Sequence, residues 1–139
     1  MNILFLCVAN SARSQMAEGL AKSMLGSEYN IQSAGSIPSG EVHTHAVIAM
    51  DEIGIDIRDQ YSKSTDDLDK SFIDSLDFAI TLCAEEVCPV LPSNAKSLHW
   101  MNEDPANETY TKQQLESSFR TTRDNIYNLI KKFMIMNVQ

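Results

Sequence analysis

Basic residues are scarce in this chain: 11 lysines and arginines stand against 19 aspartates and glutamates, for a net charge of -8. That balance argues against nucleic acid or an anionic membrane surface as a partner, since both need a basic face. It also repels an anionic substrate, so a site for one must be locally positive. No apolar run approaches the ~20 residues of a membrane span. Met1-Asn2-Ile3 leads straight into a strand pattern with no basic region or cleavage site, so no signal peptide is expected and a cytoplasmic location follows. Cysteines number only three. An odd count fits poorly with a structural disulfide framework and reads better as catalytic or redox chemistry. Repeats, linkers and low-complexity tracts are also missing. The 139 residues therefore read as one domain, residues 1–139, large enough to bury about two-thirds of its unfolded surface; a monomer is expected.

What is present is an alternation of short apolar runs and helical patterns. Ile3-Leu4-Phe5-Leu6 reads as a strand, and Ser14 to Leu25 as a helix with Met16, Leu20 and Met24 on one face, closed by Gly26. Asn30 to Gly35 is a second strand. Val42, Ala46, Ala49, Met50 and Ile53 line a second helix that Gly54 ends. Ser64-Thr65-Asp66-Asp67 has the form of a helix cap, with Leu68, Phe72 and Leu76 on one stripe behind it. Asp77 to Leu82 is a buried strand, Lys96 to Trp100 a fourth, and a long closing helix runs from about Thr109 to Met136. Such alternation predicts an α/β fold: a single-domain, four-stranded parallel sheet with helices on both faces, three-layered and Rossmann-like.

The chemistry concentrates where the first strand meets the first helix, at Cys7-Val8-Ala9-Asn10-Ser11-Ala12-Arg13-Ser14. Open α/β sheets place their ligand sites at the carboxyl ends of strands. A small polar loop lets the backbone amides from Cys7 through Val8, Ala9, Asn10, Ser11 and Ala12 to Arg13 turn toward one point, with the positive end of a helix behind them, so these seven residues are candidate oxyanion ligands. Arg13 adds a planar fork of donors suited to a tetrahedral oxyanion. Ser14 can donate to the Cys7 sulfur. All of these favour thiolate over thiol, which makes Cys7 a candidate nucleophile. Asn10 is expected both to take a left-handed loop conformation and to orient Ser14. His43 and His45 lie two apart, a poor metal pair on a helix, and read as solvated side chains.

The segment Cys7 to Gly19, CVANSARSQMAEG, resembles the phosphate-loop signature of low-molecular-weight protein tyrosine phosphatases and of the thioredoxin-coupled arsenate reductases that share their fold. The resemblance implies that Asp104, in the late Asp104-Pro105 pair, is the general acid. It also gives meaning to Cys83 and Cys88. A strand ending in one cysteine with a second shortly after resembles the reductases, in which the pair forms a redox-active disulfide, and Ala106 after Asp104-Pro105 points the same way. The implied reaction begins with Cys7 attacking arsenate. Cys83 then attacks Cys7 and releases arsenite, Cys88 attacks Cys83, and thioredoxin or a glutaredoxin-type reductant restores the thiols. Each step is thiol exchange, so neither a metal nor an organic cofactor is expected.

Two departures from the family stand out. Only four residues separate Cys83 from Cys88, fewer than in the reductases, which leaves the reductant open between thioredoxin and glutaredoxin. Tyr61 and Lys63 occupy positions where relatives keep residues that help bind potassium. The Lys63 ammonium could replace that cation and brace Asn10, Glu18 and Ser33, so no strong potassium dependence is expected. Two other readings compete. One is a tyrosine phosphatase hydrolysing phosphate monoesters through Cys7. The other is a noncatalytic module in which Cys83, Cys88 and His99 hold zinc.

Overall fold

A computed structural model of the chain describes residues 1–84 and 94–138. The elements are β1 (Asn2–Cys7), α1 (Arg13–Leu25), β2 (Asn30–Gly35), α2 (Thr44–Asp51), a 3₁₀ turn (Thr65–Asp67), α3 (Lys70–Asp74), β3 (Phe78–Thr81), β4 (Lys96–His99) and α4 (Lys112–Asn137). The four strands form one parallel sheet in the order β2-β1-β3-β4. β1 is central and its side chains alternate in destination, as the pleat requires. Ile3 and Phe5 join the larger core under α1, α2 and α4, with Met16, Leu20, Met50, Phe119 and Ile126. Leu4 and Leu6 face the other way, onto Leu68, Phe72 and Leu76. Both faces of the sheet are covered, as the alternating pattern predicts.

Three local readings need correction. Ser64 does cap a helix, through a reciprocal box with Asp67, but only the 3₁₀ turn follows. Leu68 and Asp69 are extended before α3 begins, so of the stripe Leu68, Phe72 and Leu76 only Phe72 lies within a helix. The second helix is also shorter than its apolar pattern suggests: Val42 lies before it and Ile53 after it, and Ile53 is exposed. Third, His43 and His45 are half-buried. His43 is the N-cap of α2, its Nδ1 accepting the His45 amide, and both rings pack on Phe119. A histidine cap is uncommon, which is why residue type alone reads as a solvated pair.

Candidate active site

The strand register sets the site. Leu6 pairs with Thr81, so Cys7 at the end of β1 and Cys83 just past β3 emerge at the same edge of the sheet, as a parallel arrangement predicts. Cys7 is a buried free thiol. Cys83 is buried and disulfide-bonded. Cys88 lies outside the described residues.

From Cys7 the chain turns through Val8 to Ala12 into α1. The carbonyls of this loop are each held from outside. Val8 O accepts Ile37 N, Ala9 O accepts Ser39 N and Ser11 O accepts His43 N, all at 2.9 Å. Asn10 O accepts Gln15 Nε2 at 3.0 Å. With the carbonyls drawn outward, the amides face the opposite way. Among the described residues no amide from Val8 to Ala12 finds an acceptor. Orphaned donors gathered at a helix N-terminus form an anion cradle. Gly35 makes the tight turn possible, because a Cβ there would stand 2.3 Å from Val8 O. No substitution fits without moving the loop.

The side chains complete the cradle. Ser14 Oγ lies 2.8 Å from Cys7 Sγ and accepts Asn10 Nδ2 at 2.7 Å, which leaves its hydrogen for the sulfur. Asn10 is fully buried with φ at 48°, so both roles expected of it are present. Arg13 is buried and donates from Nη1 to Asn102 O at 2.9 Å. It thereby joins the loop to the segment that carries Asp104. That carboxylate is exposed, its Oδ1 accepting Ala106 N at 3.0 Å, while Pro105 is buried and anchors the turn. A cavity of about 530 Å³ beside Asp104 is lined by Asn102, Asp104, Tyr110, Ser117, Ser118 and Thr121.

Lys63 is not a solvated charge. It is 7% exposed, with Nζ 4.0 Å from Glu18 Oε1 and 4.5 Å from the Tyr61 ring centroid. Burial pushes its ammonium below the usual lysine range, and Glu18 opposes that shift. Glu18 also accepts Ser33 Oγ at 2.6 Å, and Ser33 Oγ accepts Asn10 Nδ2 at 3.0 Å. The expected contact with Glu18 is direct. The bracing of Asn10 comes from the Lys63 backbone amide, which donates to Asn10 Oδ1 at 3.0 Å. Near Asp104, burial first and then His45 lower the His43 imidazole, against the pull of the carboxylate.

Sequence reasoning did not single out Gln15 and Gln60. Gln15 is fully buried and its side chain contacts both the phosphate loop and the 60–63 segment. The available signal was position: a polar residue between Ser14 and Met16, in a helical turn that the apolar spacing already buries.

A cysteine under free amides, an arginine six residues on and an aspartate on a facing loop define the class. The family model for low molecular weight phosphotyrosine protein phosphatase matches residues 2–139, and the chain belongs to that family. Within it, the chain is 46% identical over 133 residues to an arsenate reductase of Halalkalibacterium halodurans, covering 94% of this chain and 93% of the relative. Among solved structures, an arsenate reductase in its phosphate-binding state superimposes with a TM-score of 0.79 at 31% identity, over 97% of each chain. The thioredoxin-dependent arsenate reductase of Corynebacterium glutamicum gives 0.69 at 29%, over 98% of this chain and 63% of that one.

Proposed function

We propose that this chain is an arsenate reductase that works through a three-cysteine relay. What supports the reading most is one juxtaposition: a free, buried Cys7 beneath unpaired amides, beside a disulfide-bonded Cys83 at the end of the adjoining strand. A phosphatase needs only the first of these.

The Cys7 thiolate attacks arsenic, and one arsenate oxygen leaves as water after taking a proton from Asp104. The loop amides and Arg13 stabilise the charge that builds on the remaining oxygens. Cys83 then attacks the Cys7 sulfur. The sulfur–arsenic bond breaks, its electron pair stays on arsenic, and arsenite departs while a Cys7–Cys83 disulfide forms. Cys88 attacks Cys83, which returns Cys7 to thiolate and leaves a Cys83–Cys88 disulfide. A dithiol protein of the thioredoxin or glutaredoxin type supplies the two electrons that reopen it. The cytoplasm, where such thiols are kept reduced, is the compartment this requires. No helix among the described residues is long and apolar enough to cross a membrane.

Fully reduced protein incubated with arsenate and no other thiol should release about one arsenite per chain, with peptide mapping showing the Cys83–Cys88 bridge. Cys88→Ser should still release one arsenite but stop at a Cys7–Cys83 bridge, with phosphate ester hydrolysis unimpaired. If all three thiols stay reduced and no arsenite appears, the reductase reading fails, and hydrolysis of phosphate monoesters becomes the activity to assay.

A further inference from the structure

A fully buried glutamine must satisfy four hydrogen-bonding positions inside the protein. Gln15 uses both amide hydrogens, one of them shared, and its oxygen with a definite direction. Its Nε2 donates to Asn10 O, Asn10 Oδ1 and Tyr61 O, each at 3.0 Å, and its Oε1 accepts Gln60 Nε2 at 2.9 Å. The two carbonyl acceptors belong to the backbone and cannot turn, so the amide is fixed with its nitrogen toward the phosphate loop. Asn10, receiving at Oδ1, must present its own nitrogen to Ser14 Oγ. Ser14, already accepting, has its hydrogen left for Cys7 Sγ.

The result is one unbroken series of donors: Gln60 to Gln15, Gln15 to Asn10, Asn10 to Ser14, Ser14 to the sulfur. Every dipole has its positive end toward Cys7. Hydrogen bonds in such a chain polarise one another, more strongly in a buried and poorly solvated setting. A negative charge on the sulfur is what all four links favour.

We propose that Gln15, anchored by Gln60, is a positioning residue for the Cys7 nucleophile, acting through Asn10 and Ser14 to favour its thiolate. The proposal rests on the assignment of Cys7 as the attacking group. It gives Gln60, a half-buried loop residue that reaches the cradle through Gln15, an effect on thiol reactivity and not only on loop stability.

The test reads the rate of Cys7 alkylation by iodoacetamide across pH, followed on the Cys7 peptide by mass spectrometry. In Gln15→Met the pH of half-maximal rate should rise by about one unit, and in Gln60→Leu by about half a unit, a roughly tenfold and threefold loss of thiolate below the midpoint. Gln60→Glu, which offers an acceptor where a donor is needed, should shift the midpoint further than Gln60→Leu. Gln15→Met combined with Gln60→Leu should shift it no further than Gln15→Met alone, because Gln60 acts through Gln15. Gln60 is only half-buried, so its variants keep the test open if Gln15→Met does not fold. Variants that lose stability in urea with an unchanged midpoint overturn the proposal, as do additive shifts. Arsenate reduction surviving in Cys7→Ser would instead overturn the assignment of the nucleophile itself.

Discussion

The two halves of the candidate site are built to different standards. On the phosphate-loop side, the carbonyls from Val8 to Ser11 have donors outside the loop, and Asn10, Ser14, Gln15, Glu18 and Ser33 are all buried behind it. Asp104, facing them, is exposed and receives one hydrogen bond from its own turn. The difference suits the role proposed for each half. Stabilising charge that develops on an oxyanion needs donors already fixed in place, because reorienting them during the reaction costs energy. A proton donor must be reloaded in each cycle, and contact with water does that. Arg13 belongs to the first half and touches the second through Asn102 O, a buried bond that joins the two.

If the halves divide the work this way, Asp104→Asn should separate them. Arsenate reduction should fall about 10²-fold, within the span typical of a lost general acid, while binding of phosphate to the cradle and alkylation of Cys7 stay as in the parent. Steady-state kinetics and calorimetric titration with phosphate check this. An equal loss of binding and rate would mean that the acid loop shapes the cradle, and the division would not hold.

How much of this was legible in the sequence follows the same line. The parallel sheet and its two covered faces followed from apolar spacing, since Ile3 to Leu6, Met16 to Leu20 and Phe119 to Phe133 carry unambiguous periods, whereas the strand order β2-β1-β3-β4 comes from the structure. The residues proposed to touch the reacting atoms were picked out because C-x5-R-S at a strand end is a specific pattern. The supporting shell was not. Gln15 bonds Tyr61 across 46 positions and Gln60 bonds Gln15 across 45, the His43 amide reaches back to Ser11 O, and no periodicity marks a polar residue that is buried. The pieces of the Leu68 to Leu76 stripe misread as one helix for a related reason: the capping box is local and correct, but tertiary packing decides where the turn stops.

Lys63 sharpens the contrast from inside the preorganised half. Among the described residues, Lys63→Met leaves Glu18 buried with Lys22 as its charged partner, which should cost about 1–2 kcal/mol and lower Tm by roughly 5 °C. Potassium chloride should then recover part of the loss that choline chloride does not, while the parent protein responds equally to both salts. A parent that is itself raised by potassium would show that the ammonium does not stand in for a cation.

The smallest effect lies outside both halves. Glu52, after α2, is held by Arg120 and Arg123 of α4, with Arg120 Nη2 at 2.6 Å and Arg123 Nη1 at 2.9 Å. The Arg120 hydrogen bond is the main cause that lowers its carboxyl to about 2, with Arg123 adding to it. The folded state thus prefers the ionised form, and its contribution is complete above the ordinary glutamate value of 4.5. It fades as pH falls from there through about 2. Arg123 is buried, but Glu52 and Arg120 are open to water, so solvent screening keeps the effect on stability small. Glu52→Gln should therefore lower the urea midpoint at pH 7 and converge with the parent toward pH 2, with the pH of Cys7 alkylation and the rate of arsenate reduction unmoved. A change in either rate would mean that α2, through the His43 cap and its bond to Ser11 O, transmits helix packing to the phosphate loop.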